Sequence, residues 1–79
     1  MIYDYSKLLG AIKEKYGTQF RFANAVQISE RSLSLKLNGK RDWKQKEIIK
    51  ACIALNINYS EIPTYFFAEC AQNIEQTIK

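Results

Sequence analysis

Apolar residues recur along the first part of the chain at spacings of three and four, as on one face of an amphipathic helix. This spacing predicts a first helix with the apolar positions Tyr5, Leu8, Leu9, Ile12 and Tyr16. Asp4 is suited to cap its start, because a short carboxylate side chain accepts from free backbone N–H groups. Gly17 is suited to end it, because glycine adopts the left-handed conformation that often closes a helix.

Two shorter apolar stripes follow, each narrow enough for a helix of about two turns. The residues predicted to be buried are Phe22, Ala23 and Val26 in the second helix and Leu33 and Leu37 in the third. Thr18 and Ser29 are good N-caps, and Asn38-Gly39 is a typical helix end. Two short helices separated by about three residues, with Ile28 in the turn, predict a helix-turn-helix over residues 18–38.

The second half of the chain predicts two more helices. The fourth has the apolar stripe Ile48, Ile49, Cys52 and Leu55 and ends near Asn56. Ser60 is suited to cap the fifth, where Pro63 is tolerated in the first turn and residues 65–67 supply aromatic bulk. Helical spacing continues into the tail, and no segment alternates convincingly enough to be a strand. We therefore predict an all-α, five-helix fold with room for a C-terminal helical extension.

Composition narrows the class of protein. Seventy-nine residues of 9.2 kDa make one domain. The sequence has no His and only two Cys, Cys52 and Cys70, which excludes a zinc site of the His or CxxC type and argues against a disulfide framework. Both are expected to be reduced core residues. With no long apolar run and no secretory signal, we expect a cytoplasmic protein of a bacterial host cell, with no membrane partner.

The sequence also lacks the residues that most chemistry needs. Ser29, Ser32 and Ser34 have no His or Lys arranged as a general base, so a hydrolase has no support. We expect no enzyme activity, no metal, no cofactor and no small-molecule ligand.

Charge is concentrated in the middle of the chain. Residues 31–50 hold seven of the twelve basic residues and two of the eight acidic ones, whereas residues 51–79 are net acidic. A basic centre is typical of a surface that faces a polyanion, and it is also compatible with a solvated helix face. The charge pattern alone leaves both interpretations open.

The third helix carries the candidate reading surface. With Leu33 and Leu37 inward, the candidates for base reading are Glu30, Arg31, Ser32, Ser34 and Leu35. Arginine can pair bidentately with guanine, a carboxylate can accept from cytosine, and an aliphatic group can contact a thymine methyl. An ordinary solvent face that contains one leucine is the alternative.

Several segments carry a resemblance to a known family. Within residues 18–57, the sequence resembles the Cro/repressor-type helix-turn-helix family. The segments that carry the resemblance are Thr18-Gln19, Phe22-Ala23, Ile28-Ser29, 32–34 and 38–40. More narrowly, the chain resembles short Cro-like proteins of prophages in Gram-positive bacteria. The residues that carry this resemblance are 36–40, Trp43, 47–48, 61–62 and 65–67. The resemblance implies a five-helix lambda-repressor-like domain that binds a near-palindromic operator as a dimer and controls phage genes.

The resemblance and the charge pattern together give a set of phosphate-binding candidates. In the family, a Gln at the position of Gln19 holds a phosphate beside the N-terminus of the second helix. The other candidates surround the end of the third helix and the start of the fourth: Asn38, Lys40, Arg41, Lys44 and Lys46. Such contacts would add salt-dependent affinity. Trp43 either wedges against the sugar-phosphate backbone or joins the core.

Two positions depart from the family. Gln27 stands where the family usually has Gly in the turn, and a positive φ there implies strain of about 1 kcal/mol. Leu35 stands where the family often has a polar base reader, so the operator sequence cannot be inferred by analogy.

The leading functional prediction is a Cro-like transcriptional repressor that binds double-stranded DNA sequence-specifically. We expect it to have no separate oligomerisation domain. Residues 1–67 form the predicted DNA-binding domain, and 68–79 a helical tail. A homodimer is expected through the fifth helix and tail, with Tyr65, Phe66 and Ile74 as candidates. The alternatives are a DNA-binding antitoxin and a protein-binding antirepressor or adaptor. Basic residues at both ends of one outward helix favour the DNA-binding function.

Overall fold

Five α-helices form in residues 3–69, which are the residues that the computed structural model describes. They are α1 (Ser6–Tyr16), α2 (Gln19–Val26), α3 (Glu30–Leu37), α4 (Gln45–Leu55) and α5 (Ile62–Phe66), and a 3-10 turn, Tyr59–Glu61, precedes α5. Over this range there is no β-strand, although Tyr3 and Glu69 form an isolated antiparallel bridge. The predicted all-α, five-helix fold is confirmed.

The starts of α2 and α3 are capped by the side chains that the sequence predicts. The Thr18 hydroxyl accepts a hydrogen bond from the Arg21 N–H at 3.2 Å. The Ser29 hydroxyl accepts one from the Ser32 N–H at 3.1 Å. Because each bond satisfies a backbone donor that has no partner within its helix, these caps fix where both helices begin.

The end of α3 is closed by a Schellman motif around Gly39, which has φ +75°. The Gly39 N–H donates to the Lys36 carbonyl at 3.2 Å, and the Lys40 N–H donates to the Leu35 carbonyl at 2.8 Å. The predicted glycine ending is therefore confirmed, and it sets the direction in which the basic loop leaves α3.

Two predicted caps differ from the structure. Asp4 accepts a hydrogen bond from the Ser6 N–H at 2.9 Å. It is not the N-cap residue of α1, which is Tyr5. Ser60 does not cap α5, because it lies within the 3-10 turn and α5 begins two residues later at Ile62. Pro63 lies in the first turn of α5, as predicted.

The turn between α2 and α3 has the backbone that the family usually gives to glycine. Gln27 has φ +63° and ψ +41°, in the left-handed region. The side chain of Lys50 in α4 donates to Gln27 Oε1 at 3.0 Å, which gives this residue a partner across the fold. The strain predicted for Gln27, about 1 kcal/mol, is therefore located in the one turn that joins α2 to α3.

The core lies between α2 and the helices α1, α3 and α4 that contact it. Its buried apolar residues are Tyr5, Leu8, Ile12, Phe22, Ala23, Val26, Leu33, Leu37, Ala51, Cys52, Leu55, Ile57 and Phe66. Ile48 and Ile49 were predicted to be buried but are only partly buried, because both line an open groove between α4 and the α5 region. Phe66 is 1% exposed, so its side chain is not available for the dimer contact predicted from the sequence.

Cys52 is buried and free, and burial raises the pKa of its thiol. Cys70 and the predicted helical tail, Ile74 included, lie outside the described residues. Among the helices of residues 3–69, none has the length and apolar character needed to cross a membrane.

Candidate functional site

The structure brings together most of the side chains predicted to contact DNA bases. Five residues line one shallow depression, here called the α3 face: Gln19, Glu30, Arg31, Ser34 and Leu35. Arg31 is exposed and Leu35 is partly buried beside it. The predicted outward orientation of α3 is therefore present, with Gln19 of α2 at its edge.

Polar groups next to the α3 face are partly engaged within the chain. Arg41 Nη1 donates to the Ser32 hydroxyl at 2.8 Å. Asn38 Nδ2 donates to the Ser34 carbonyl at 2.9 Å. Four of the predicted DNA contacts thus take part in internal hydrogen bonds, namely Ser32, Ser34, Asn38 and Arg41, whereas Lys40 is exposed.

Lys44 and Lys46 belong to a different neighbourhood. Both are exposed and flank Gln45 at the start of α4, and Gln45 lines the groove described next. The base-reading and phosphate-binding roles assigned from the sequence stay predictions, because nothing in the arrangement of these side chains tests them.

An apolar groove of about 540 Å³ lies between α4 and the α5 region. Its lining residues are Trp43, Gln45, Ile48, Ile49, Tyr59, Ile62 and Phe67. Tyr59 is 57% exposed and Phe67 is 46% exposed, although both carry large apolar surfaces. Among residues 3–69, no charged side chain lines the groove, so it is suited to an apolar occupant with a few hydrogen-bonding groups.

Aromatic packing forms the wall of the apolar groove. The Trp43 ring packs edge-on against buried Phe66, with ring centroids 5.1 Å apart. Tyr3 packs edge-on against Phe67, at 5.7 Å. Trp43 is therefore both a core-packing and a groove-lining residue, and the sugar-phosphate wedge is not needed to explain its position.

Lys36 is the one buried charged residue within residues 3–69, with 2% of its surface exposed. Its ammonium lies 3.1 Å from Glu47 Oε1 of α4. It also donates to the Asp42 carbonyl at 3.1 Å. A single side chain thus connects α3, the loop after it and α4.

Glu47 completes this connection at the start of α4, where its Oε1 accepts from the Lys44 N–H at 2.9 Å. Burial opposes its ionisation. The Lys44 N–H, the Lys36 hydrogen bond and the charges of both lysines outweigh that cost and hold the pKa of Glu47 below its ordinary value. The carboxylate is therefore ionised at neutral pH.

Sequence reasoning missed both the buried ion pair and the groove, although weak signals existed. Lys36 is three residues after Leu33 and so lies on the buried side of α3. The segment 48–55 contains more apolar residues than one buried helix face requires. That excess is the signal for a second, uncovered apolar surface.

Comparison with known proteins identifies the family and one close structural relative. The family described as "Protein of unknown function (DUF739)" matches residues 1–69. The solution structure of the modulator of repression of the temperate bacteriophage TP901-1 from Lactococcus lactis is 58% identical, with a TM-score of 0.74. The match covers 85% of this chain and 90% of that one. No curated protein matches the chain.

These findings correct the sequence interpretation. The close relative is a modulator of repression, so the predicted Cro-like repressor function is wrong, and the alternative of a protein-binding antirepressor agrees better with it. The assignment to the Cro/repressor-type family is wrong as well. The family match extends from residue 1 to residue 69 and so includes all five helices. The chain belongs to the DUF739 family.

Proposed function

We propose that this chain is a phage modulator of repression that acts by binding a repressor protein. The observation that carries the proposal is its 58% identity to the TP901-1 modulator of repression over most of both chains. A shared fold alone does not establish a shared function. The proposal therefore also needs a surface suited to a protein partner.

The apolar groove supplies such a surface. Aromatic residues are enriched at the centres of protein interfaces, where they supply most of the binding energy. Trp43, Tyr59 and Phe67 line the groove, and two of them are about half exposed. A repressor that covers these rings removes their apolar surface from water, and such burial is favourable by roughly 25 cal/mol of free energy per Å².

The chemistry of the groove favours a protein over a nucleic acid. Affinity for DNA comes largely from Lys and Arg side chains that contact phosphates, and within the described part of the chain none of these lines the groove. The exposed charges beside it in sequence are of both signs: Asp42 and Glu61 together with Lys44 and Lys46. An apolar centre with a mixed polar rim is the usual composition of a protein–protein interface.

Binding of the repressor explains how such a protein changes repression. A repressor held in the complex is withdrawn from the pool that occupies the operator, provided that the two bound forms exclude each other. Operator occupancy then falls as the concentration of this chain rises. No base reading by this chain is required.

The test is a competition experiment with purified components. A fluorescent operator duplex is saturated with the repressor encoded by the same phage, and this chain is added while anisotropy is recorded. We expect anisotropy to fall towards that of free duplex, and direct titration to show a repressor–modulator complex. Unchanged anisotropy together with no complex formation would overturn the proposal.

A further inference from the structure

The two peptide groups on either side of Trp43 are held by one ion pair, in which Lys36 is buried and Glu47 is partly buried. Lys36 Nζ donates to the Asp42 carbonyl at 3.1 Å, and Glu47 Oε1 accepts from the Lys44 N–H at 2.9 Å. The two side chains are themselves joined at 3.1 Å. The peptide group before Trp43 and the one after it are therefore tied to the same pair.

This arrangement restricts the direction of the Trp43 side chain. Peptide groups are planar, so the orientations of the two flanking planes determine the backbone dihedrals of the residue between them. Those dihedrals determine the direction of its Cα–Cβ bond. The ion pair thus sets the direction in which the Trp43 side chain leaves the backbone, and packing against Phe66 at 5.1 Å holds the indole that forms one wall of the apolar groove.

Stability alone does not account for a lysine at this position. Burial of a charge is costly, and well-packed apolar residues in place of a buried ion pair often leave stability unchanged or increase it. Leu33 and Leu37 show that the same side of α3 accommodates aliphatic side chains. An aliphatic residue at position 36 would fill space but could not hold the Asp42 carbonyl.

We propose that Lys36 and Glu47 are positioning residues for the apolar groove, which hold Trp43 in the orientation that the partner binds. The inference rests on the proposed function for the identity of the partner. The positioning itself concerns the free protein and can be measured without any partner.

The test compares one double variant with a matched control. Lys36→Met with Glu47→Leu removes both tethers and leaves no unpaired buried charge. Lys50→Met is the control, since it also replaces a lysine that donates to a side-chain oxygen, that of Gln27 at 3.0 Å, but contacts neither side of Trp43. Thermal melting establishes that each variant folds.

Trp43 is the only tryptophan, so its fluorescence reports this position alone. In the double variant we expect acrylamide to quench Trp43 more strongly and repressor affinity to fall about tenfold, the effect of one well-placed interface contact, while the melting temperature stays near that of the wild type. The Lys50→Met variant should match the wild type in both quenching and affinity.

A double variant with wild-type quenching and wild-type affinity would overturn the proposal, because the pair would then only fill space. If the wild type binds no repressor, the proposed function fails, and the quenching series still decides whether the pair positions Trp43. Should the double variant not fold, hydrogen exchange on the wild type gives the answer. We expect a protected Lys44 amide, and exchange at the rate of an unprotected amide would contradict the tether.

Discussion

Lys36 and Glu47 differ in how much each depends on the other. Lys36 is 2% exposed, whereas the Glu47 side chain is 16% exposed. Loss of the carboxylate charge therefore leaves an ammonium that water cannot reach, whereas loss of the ammonium leaves a carboxylate that still contacts water and the Lys44 N–H. Removing one member of a buried pair typically costs about 3–5 kcal/mol, and partial exposure of Glu47 places this pair towards the lower end.

The lowered pKa of Glu47 predicts how the free energy of unfolding depends on pH. The pKa of Glu47 is lowered in the folded protein, from an ordinary value of 4.5, so its contribution is fully present above pH 4.5. It is lost as the pH falls through the lower pKa of the folded state, because the unfolded chain then binds a proton more readily. Urea unfolding between pH 7 and pH 3 should show a free energy of unfolding that declines below about pH 4.5.

The Glu47→Gln variant is the control for this decline. Glutamine can still accept from the Lys44 N–H but does not titrate, so the variant should be less stable at neutral pH and depend less on pH. A residual slope is expected from Asp4, whose pKa is also lowered, by hydrogen bonds from the Ser6 hydroxyl and N–H. Parallel pH profiles for wild type and variant would contradict this account of Glu47.

At the scale of elements, α4 serves two surfaces at once. Ala51, Cys52 and Leu55 are buried in the core, whereas Ile48 and Ile49 are partly exposed in the apolar groove. Its N-terminus is fixed by Glu47 and the end of α3, and its C-terminal residue is followed by Asn56 in the left-handed conformation, with φ +60°. The groove therefore has one wall on a helix whose two ends are both closed by hydrogen bonds, the C-terminal end by that from the Ile57 N–H to the Cys52 carbonyl at 2.8 Å.

The groove predicts a localised pattern of binding losses. Tyr59→Ala and Phe67→Ala should each weaken repressor binding by about tenfold or more, since aromatic residues near the centre of an interface often contribute 2 kcal/mol. Calorimetric titration of purified repressor measures the change. Both residues are about half exposed, so the free energy of unfolding should fall by less than it would on truncating a buried aromatic residue, with the larger change for Phe67, which packs against Tyr3.

Phe20→Ala is the matched control, because Phe20 is 55% exposed, a value between those of the two groove residues, and lies on α2, outside the groove. The Phe20→Ala variant should bind the repressor with the affinity of the wild type. A loss with Phe20→Ala as large as that with Tyr59→Ala would place the interface elsewhere.

At the scale of the whole molecule, sequence reasoning recovered what local signals specify. Thr18 and Ser29 cap their helices, Gly39 ends α3, and Phe22, Leu33 and Cys52 are buried, because each depends on neighbours within a few residues or on one helical period. The ion pair of Lys36 and Glu47 joins residues eleven positions apart in different helices. No helical period encodes that contact, so it was not predicted.

The function was mistaken for a related physical reason. Basic residues in the middle of the chain and an outward Arg31 beside Leu35 are compatible with reading DNA, and the α3 face has the predicted arrangement. Charge at that face does not reveal an uncharged groove formed by residues as distant as Trp43 and Phe67. From the sequence, Phe67 was part of the aromatic bulk of the fifth helix and Trp43 was left between the core and the sugar-phosphate backbone. Only the folded structure shows that Tyr59 and Phe67 are exposed.

The central claim is that this chain binds a repressor protein through the apolar groove. Amide-resolved NMR of the labelled chain, titrated with unlabelled repressor, tests it most directly. The account predicts that shifts and line broadening concentrate at Trp43, including its indole N–H, and at Ile48, Tyr59 and Phe67, with Arg31 and Leu35 little changed. Perturbation confined to the α3 face, or changes in the groove that follow self-dilution and not repressor addition, would contradict it.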